Sequence, residues 1–117
     1  MKVTNFVVIQ VVNTVNSKDW FMNNQETKNK IRFYFPVRSA LKKNIDAFRK
    51  LGEEFMELRQ EIEDNGNSSE ELKELINSSH DADIVTYSQE DLDHYLMLNG
   101  EYMTESDVQI LELFVEK

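Results

Sequence analysis

Two short runs place histidine and carboxylate side chains close together, and these residues are the best suited to acid–base or metal chemistry. The first is HDAD (80–83) and the second is EDLDH (90–94). Imidazole nitrogens and carboxylate oxygens bind divalent metals, but neither run has the ligand spacing of a recognised metal site. Glu90 and His94 lie four residues apart, which on a helix is the spacing of an ordinary ion pair. We therefore predict no metal site.

The other usual catalytic signatures are missing from the sequence. It has no cysteine, its three glycines stand far apart rather than in a phosphate-binding loop, and no serine lies in a nucleophile elbow. The carboxylates lie in highly charged runs, where nothing separates their pKa values into an acid and a base. The sequence predicts a non-catalytic protein without a cofactor.

The charge balance argues against nucleic acid as a direct partner. Thirteen basic and twenty-two acidic residues give a net charge of −9, whereas phosphate backbones are bound by clustered Lys and Arg. The four tyrosines are accordingly expected to pack rather than to stack on bases. The acidity is explained by solubility alone, or alternatively by an acidic surface that binds a basic partner or imitates nucleic acid.

Length and hydropathy predict a single domain, 1–117, that does not cross a membrane. The apolar run at the start of the chain is interrupted by Thr4, Asn5, Gln10 and Asn13, unlike a signal peptide. No run reaches the roughly 18 apolar residues that span a bilayer. We expect a soluble protein located in the cytoplasm.

One long helix dominates the predicted structure. Eight apolar residues recur at helical spacing over about 40 Å: Val37, Leu41, Ile45, Phe48, Leu51, Phe55, Leu58 and Ile62. Pro36 is suited to the first turn, so the helix is predicted over about 36–63. Gly52 lies beside the apolar stripe and predicts the close approach of another helix.

The charges of this helix run opposite to the helix dipole. Basic residues crowd its first half (Arg38, Lys42, Lys43, Arg49 and Lys50) and acidic residues its second (Glu53, Glu54, Glu57, Glu61, Glu63 and Asp64). Each exposed charge placed unfavourably relative to the helix dipole costs only tenths of a kcal/mol. Burial of the apolar stripe therefore outweighs the total cost. The pattern is that of a solvated face. Alternatively, two antiparallel copies match basic halves to acidic halves, or the acidic helices 69–76 and 89–98 cover the basic end.

Segment 5–16 fits two structures. Val7, Ile9 and Val11 alternate as in a strand, whereas Val8, Val11, Val12 and Val15 follow helical spacing with Thr4 or Asn5 as cap. We favour the helix. Segments 31–35 and 82–87 are each predicted as a short strand or an extended link.

Capping signals predict three short helices after the long one. Ser68 and Glu71 form a capping box at the start of a short helix. The leucines of this helix fold back on the long helix, so that the two form an αα-hairpin. Ser88 opens the next helix, and Asn99-Gly100 ends it. Thr104 with Asp107 opens the last, with Val108, Leu111 and Val115 expected on its inner face and Ile110 and Phe114 beside them. The predicted fold class is mainly α, a small helical domain with one or two short strands at most; α+β is the alternative.

Trp20, Phe21 and Met22 form an apolar cluster inside the connection 17–30. Either they fold back to close the core, or they form an exposed anchor for a partner, since such clusters provide interface hot spots.

From Pro36 to the end, the chain resembles a family of small proteins of unknown function from phages and prophages of Gram-positive bacteria. The resemblance rests on Pro36-Val37, on Lys43-Asn44, on the long charged helix and on the closing segment TESDVQILELFVEK (104–117). It implies a phage context and a bacterial host cell, and it supplies no active residues.

These patterns predict a non-catalytic protein that acts by protein–protein contact, as a homo-oligomer in phage assembly or as an accessory factor. Its partner is a second copy, in a homodimer, or a host protein. The alternative is an acidic inhibitor of a host protein, a nucleic-acid mimic or anti-defence protein, and third comes a small enzyme or metal protein using His80 or His94. The candidate partner-binding residues are Trp20, Phe21, Met22, Arg38, Lys42, Arg49, Glu53, Glu57 and Glu61.

Overall fold

The computed structural model of the protein describes residues 1–66 and 69–117. Its helices and strands follow one another along the chain in this order: β1 (Lys2–Thr4), α1 (Asn5–Val15), α2 (Gln25–Lys28), α3 (Phe35–Asp64), α4 (Ser69–Asn77), β2 (Ser79–Asp81), α5 (Gln89–Asn99), a 3-10 turn (Gly100–Tyr102) and α6 (Glu105–Leu113). The mainly α prediction is confirmed, with one small antiparallel sheet of β1 and β2 in addition.

Helix α3 matches its predicted bounds to within one residue at each end. Tyr34 is its extended N-cap residue, and Pro36 lies in the first turn, where a missing N–H has no consequence. The helix ends before Gly66, whose φ of 99° is left-handed and suits glycine. Its apolar stripe is buried as far as Phe55, whereas Leu58 remains 45% exposed. The second half of α3 is therefore only partly covered.

Segment 5–15 is a helix, as favoured. The side chain of Thr4 accepts a hydrogen bond from the Val7 N–H and caps α1, and Val8, Val11 and Val15 are buried along one face. Burial against α3 outweighs the β propensity of the valines. Strand β1 lies just before the helix, where its residue Val3 pairs with His80 of β2.

Neither predicted extended segment forms a strand. Residues 31–34 run beside α5 without a strand partner, as an extended lead-in to α3. Residues 82–87 are a link in which Tyr87 alone forms a single bridge, to Val115. The pairing strand is instead Ser79–Asp81, whose polar sequence carries no strand signal.

Helices α1 and α3 pack closely at Gly52, as predicted. A Cβ atom placed on Gly52 would lie 3.2 Å from Cγ2 of Val12, closer than most carbon–carbon contacts. The glycine lets the two helix backbones approach, and this contact fixes how α1 lies along α3.

The remaining helices begin where the capping residues predict. Ser88 accepts a hydrogen bond from the Asp91 N–H, and Thr104 and Asp107 form a reciprocal capping box. Helix α4 packs on α3 as an αα-hairpin; Ser68, its predicted cap, lies outside the described residues. On α6 the predicted inner face is partly wrong, because Val108 and Val115 are half-buried while Ile110, Leu111 and Phe114 are buried.

The core lies around the first half of α3, and the molecule is elongated. The radius of gyration is 16.0 Å, compared with about 13 Å expected for a compact chain of this length. The longest dimension, 50 Å, is close to the ~45 Å length of a 30-residue helix. The second half of α3 thus extends beyond the main core, flanked by α1 and α4.

Candidate functional site

A groove runs between α1 and the middle of α3, where the second half of α3 leaves the core. It has a volume of about 560 Å³ and is open to solvent along its length. Ile9 and Val12 of α1 form one wall, and Phe55 and Met56 of α3 form the other, with Gly52 between them. Val12 lies against Gly52, where the two apolar walls meet, and polar residues line the rest of the groove.

One edge of the groove is a row of charged residues on α3. Arg49, Glu53 and Glu57 all line the groove, and each is exposed. Residues four apart on a helix lie on nearly the same side, about 6 Å apart along the axis. Glu61 continues the row, so one cation is followed by three carboxylates. The Arg49 Nε donates to Asn16 Oδ1 at 3.2 Å, which ties the basic end of the row to α1.

Large apolar side chains on this part of the molecule remain exposed to solvent. Met56 is 56% exposed and Leu58 45%. A second, smaller groove of about 280 Å³ lies between α3 and α4, and Leu58, Glu61 and Leu75 line it. An exposed methionine beside an apolar groove is typical of a surface that adapts to a partner.

Two of the predicted partner-binding residues belong to the core. Trp20 and Phe21 are 2% and 1% exposed, with ring centroids 4.5 Å apart. The exposed-anchor interpretation is therefore wrong for them, and the alternative that they close the core is confirmed. Asn23 holds the loop in this position, since its side-chain amide donates to the carbonyls of Val15 and Ser17.

The other predicted residues fall into separate places. Met22 is half-buried, and its Sδ accepts a hydrogen bond from Arg38 Nη1 at 3.6 Å. Lys42 is exposed on the first half of α3, outside the lining of the groove. The structure thus brings together Arg49, Glu53 and Glu57, with Glu61 as their extension.

The groove also depends on residues that the sequence did not single out. Ile9 and Val12 acquire a role only because α1 lies against Gly52, and the sequence does not state which helix approaches that glycine. Met56 lies one helical turn after Gly52, and this spacing was the sequence signal that could have placed Met56 in the groove.

The histidines make structural contacts. His80 Nε2 lies 2.8 Å from Oδ1 of the buried Asn5, and the His94 ring packs 4.6 Å from that of Tyr34. The Tyr34 hydroxyl donates to Asp91, and this hydrogen bond raises the pKa of Tyr34. Among the residues that the structure describes, no three metal-binding side chains come together.

Comparisons with protein-family models, curated proteins and solved structures found no significant match. The resemblance to phage proteins therefore stays a prediction. Within residues 1–66 and 69–117, no helix combines the length and apolar character needed to cross a bilayer.

Proposed function

We propose that the protein works without catalysis, by protein–protein contact through the α1–α3 groove, and that the groove binds a second copy of the chain. In the resulting homodimer the two α3 helices run antiparallel. The observation that carries this proposal is the combination of an open, partly apolar groove with the opposite net charges of the two halves of α3.

The charge distribution of α3 favours the antiparallel arrangement. Residues 35–50 carry five basic residues and one acidic residue, and residues 51–64 carry one basic residue and six acidic residues. The two halves therefore have net charges of +4 and −5. An antiparallel pair centred between Leu51 and Gly52 places Lys42 level with Glu61 of the second copy. A parallel pair would place like charges together, so charge sets the orientation.

The apolar groove provides the affinity that exposed charges lack. Exposed ion pairs contribute only about 0–1 kcal/mol each, whereas covering Met56 and the groove walls removes apolar surface from water. A standard interface takes about 800 Å² from each partner, roughly a tenth of this protein's 7710 Å² surface. The contact must therefore extend from the groove onto the charged face of α3.

A charge exchange tests this proposal. Lys42→Glu with Arg49→Glu removes the net positive charge of the first half of α3, and Glu53→Lys with Glu61→Lys makes its second half less acidic. We expect each double variant to self-associate more weakly than the wild type and the two to form a heterodimer when mixed. Lys2→Glu with Lys18→Glu, which lowers the net charge as much as the first double variant does but at exposed positions away from α3, is the control for that variant. Equal weakening by this control would contradict the proposal.

The cellular role follows from the family resemblance. A homo-oligomer of this kind serves phage assembly, or acts as an accessory factor, in the cytoplasm of the bacterial host. The resemblance in Pro36-Val37 and Lys43-Asn44 supports this context.

The row of carboxylates favours one second candidate, an acidic inhibitor that occupies the nucleic-acid site of a host protein. Glu53, Glu57 and Glu61 are exposed in a row with steps of about 6 Å, an arrangement that could present negative charge as a nucleic-acid strand does. Such a protein would act as a monomer and would compete with DNA for a basic host protein. Met56→Glu places a charge in the apolar groove. If this variant still competes with DNA for the host protein, the result would favour this candidate.

A further inference from the structure

A small pocket lies at the other end of α3, beside the extended segment that leads into the helix. It has a volume of about 90 Å³, the space of about three water molecules. Three cationic residues line it, Lys28, Arg32 and Arg38, together with Met22 and Tyr95. Three cations around one small pocket are notable in a chain with a net charge of −9.

Tyr95 lines this pocket and carries a hydroxyl group that lacks a hydrogen-bond partner among the described residues. The residue is 0% exposed. A buried hydroxyl without a partner has given up its hydrogen bonds to water and has gained none within the protein. Burial also raises the pKa of Tyr95 to about 12, so the hydroxyl keeps its proton at neutral pH and can donate it to an acceptor.

Arg38 is likewise poorly satisfied. Arg38 is half-buried, and its guanidinium donates a hydrogen bond to the sulfur of Met22, which is a weak acceptor. No ion pair joins Arg38, Arg32 or Lys28 to a carboxylate in the described part of the chain. The planar guanidinium retains donors that match the oxygens of a phosphate or carboxylate group.

The start of α3 adds positive potential to the same region. Arg38 lies in its first turn, and Arg32 and Phe33 directly precede its N-cap residue, Tyr34. The helix begins without a side-chain cap and without an acidic residue in its first turn, whereas Thr4, Ser88 and Thr104 cap α1, α5 and α6. The positive end of its dipole is thus left uncompensated.

We propose that this pocket binds a small oxyanion, namely a phosphate group, either free or as a phosphomonoester. Arg38 holds the phosphate oxygens, the Tyr95 hydroxyl donates one hydrogen bond, and Arg32 and Lys28 neutralise the remaining charge. The site is independent of the α1–α3 groove, because none of its residues lines that groove.

Titration of the full chain with inorganic phosphate at constant ionic strength tests the proposal. Amide NMR shifts of residues 31–38 should change in a saturable way at phosphate concentrations up to about 20 mM, and the thermal midpoint should rise, since a ligand that binds the folded state stabilises it. A second titration with O-phosphoserine distinguishes the sources. Tighter binding than free phosphate indicates a phosphomonoester, and weaker binding indicates free phosphate.

Three variants separate a binding site from nonspecific screening. Arg38→Gln should abolish saturable binding, and Tyr95→Phe should weaken it about tenfold, as expected for a lost hydrogen bond to a charged group. Without phosphate, Tyr95→Phe should be at least as stable as the wild type, because it removes only the unpaired hydroxyl. Lys18→Gln removes an exposed cation away from α3 and from the pocket and should bind phosphate normally. No saturable shift in the wild type, or equal affinity in Tyr95→Phe and the wild type, would overturn the proposal.

Discussion

Three buried asparagines join segments that lie far apart in the sequence. The Asn44 side chain donates to the carbonyl of Val85 and accepts from its N–H, both at 2.7 Å, and Asn99 binds Arg32 in the same way. Asn5 donates to the carbonyl of Leu75 at 2.6 Å and contacts His80. The Asn44 and Asn99 side chains replace the partner that a neighbouring strand would supply, so the links at Val85 and Arg32 are ordered without forming sheet, whereas Asn5 joins α1 to α4 and β2.

Asn44→Ala should destabilise the fold by about 1–3 kcal/mol, because it leaves the N–H and carbonyl of Val85 without a partner in a partly buried place. Chemical denaturation measures this loss. Asn77→Ala, at an exposed position at the end of α4, is the control and should change the free energy of unfolding by less than about 0.5 kcal/mol. Equal effects of the two substitutions would show that the Asn44 link does not stabilise the fold.

Asp107 is a buried carboxylate, and we expect its titration to change the free energy of unfolding. Burial raises its pKa above the ordinary value, while hydrogen bonds from Thr104 and the Phe21 N–H oppose the shift. The folded state therefore takes up this proton more readily than the unfolded state. As pH falls through the raised pKa, wild type should gain stability relative to Asp107→Asn. Urea unfolding of both proteins between neutral pH and pH 4 measures the difference; a constant difference would show that Asp107 is not desolvated.

At the scale of elements, the packing of α1 on α3 depends on one glycine. Its close approach to Val12 positions both walls of the groove. Val12 is β-branched, so its side chain has few alternative rotamers and yields little to an added methyl group.

Gly52→Ala should therefore fail to give the ~1 kcal/mol that alanine normally adds within a helix. In a Val12→Ala background, where the methyl groups that obstruct the new Cβ are gone, the same substitution should give that gain. Thermal or chemical unfolding of the four proteins completes the cycle. An equal gain in both backgrounds would show that the contact does not restrict position 52.

Local signals predicted the elements well, and contacts distant in sequence were the ones that could not be predicted. The stripe from Val37 to Ile62 and the caps at Ser88 and Thr104 specify helices through residues three or four apart. The pairing of Val3 with His80 and the identity of the helix that approaches Gly52 depend on chain segments that the local pattern does not identify. The charged row of the groove could be predicted, like α3 itself, from residues three or four apart along one helix. The wall that α1 forms could not be predicted in this way.

At the scale of the whole molecule, helix α3 runs through two regions, the core and the extension beyond it. Its first half buries one face in the core and leaves its charged face exposed, and its second half leaves Met56 and Leu58 exposed along a molecule 50 Å long. Basic residues concentrate on the first half and acidic residues on the second half. This asymmetry gives the chain a surface that is complementary to itself when a second copy is turned around.

The solution mass, measured by light scattering over a range of protein concentrations at low and high salt, tests the central claim most directly. The self-complementary α3 predicts a dimer at low salt that loosens as salt rises, because screening weakens the pairing of exposed charges. Met56→Glu should shift the same equilibrium towards monomer at every salt concentration. A strict monomer under all conditions would contradict the dimer and leave the acidic face of α3 as a surface for a basic host protein.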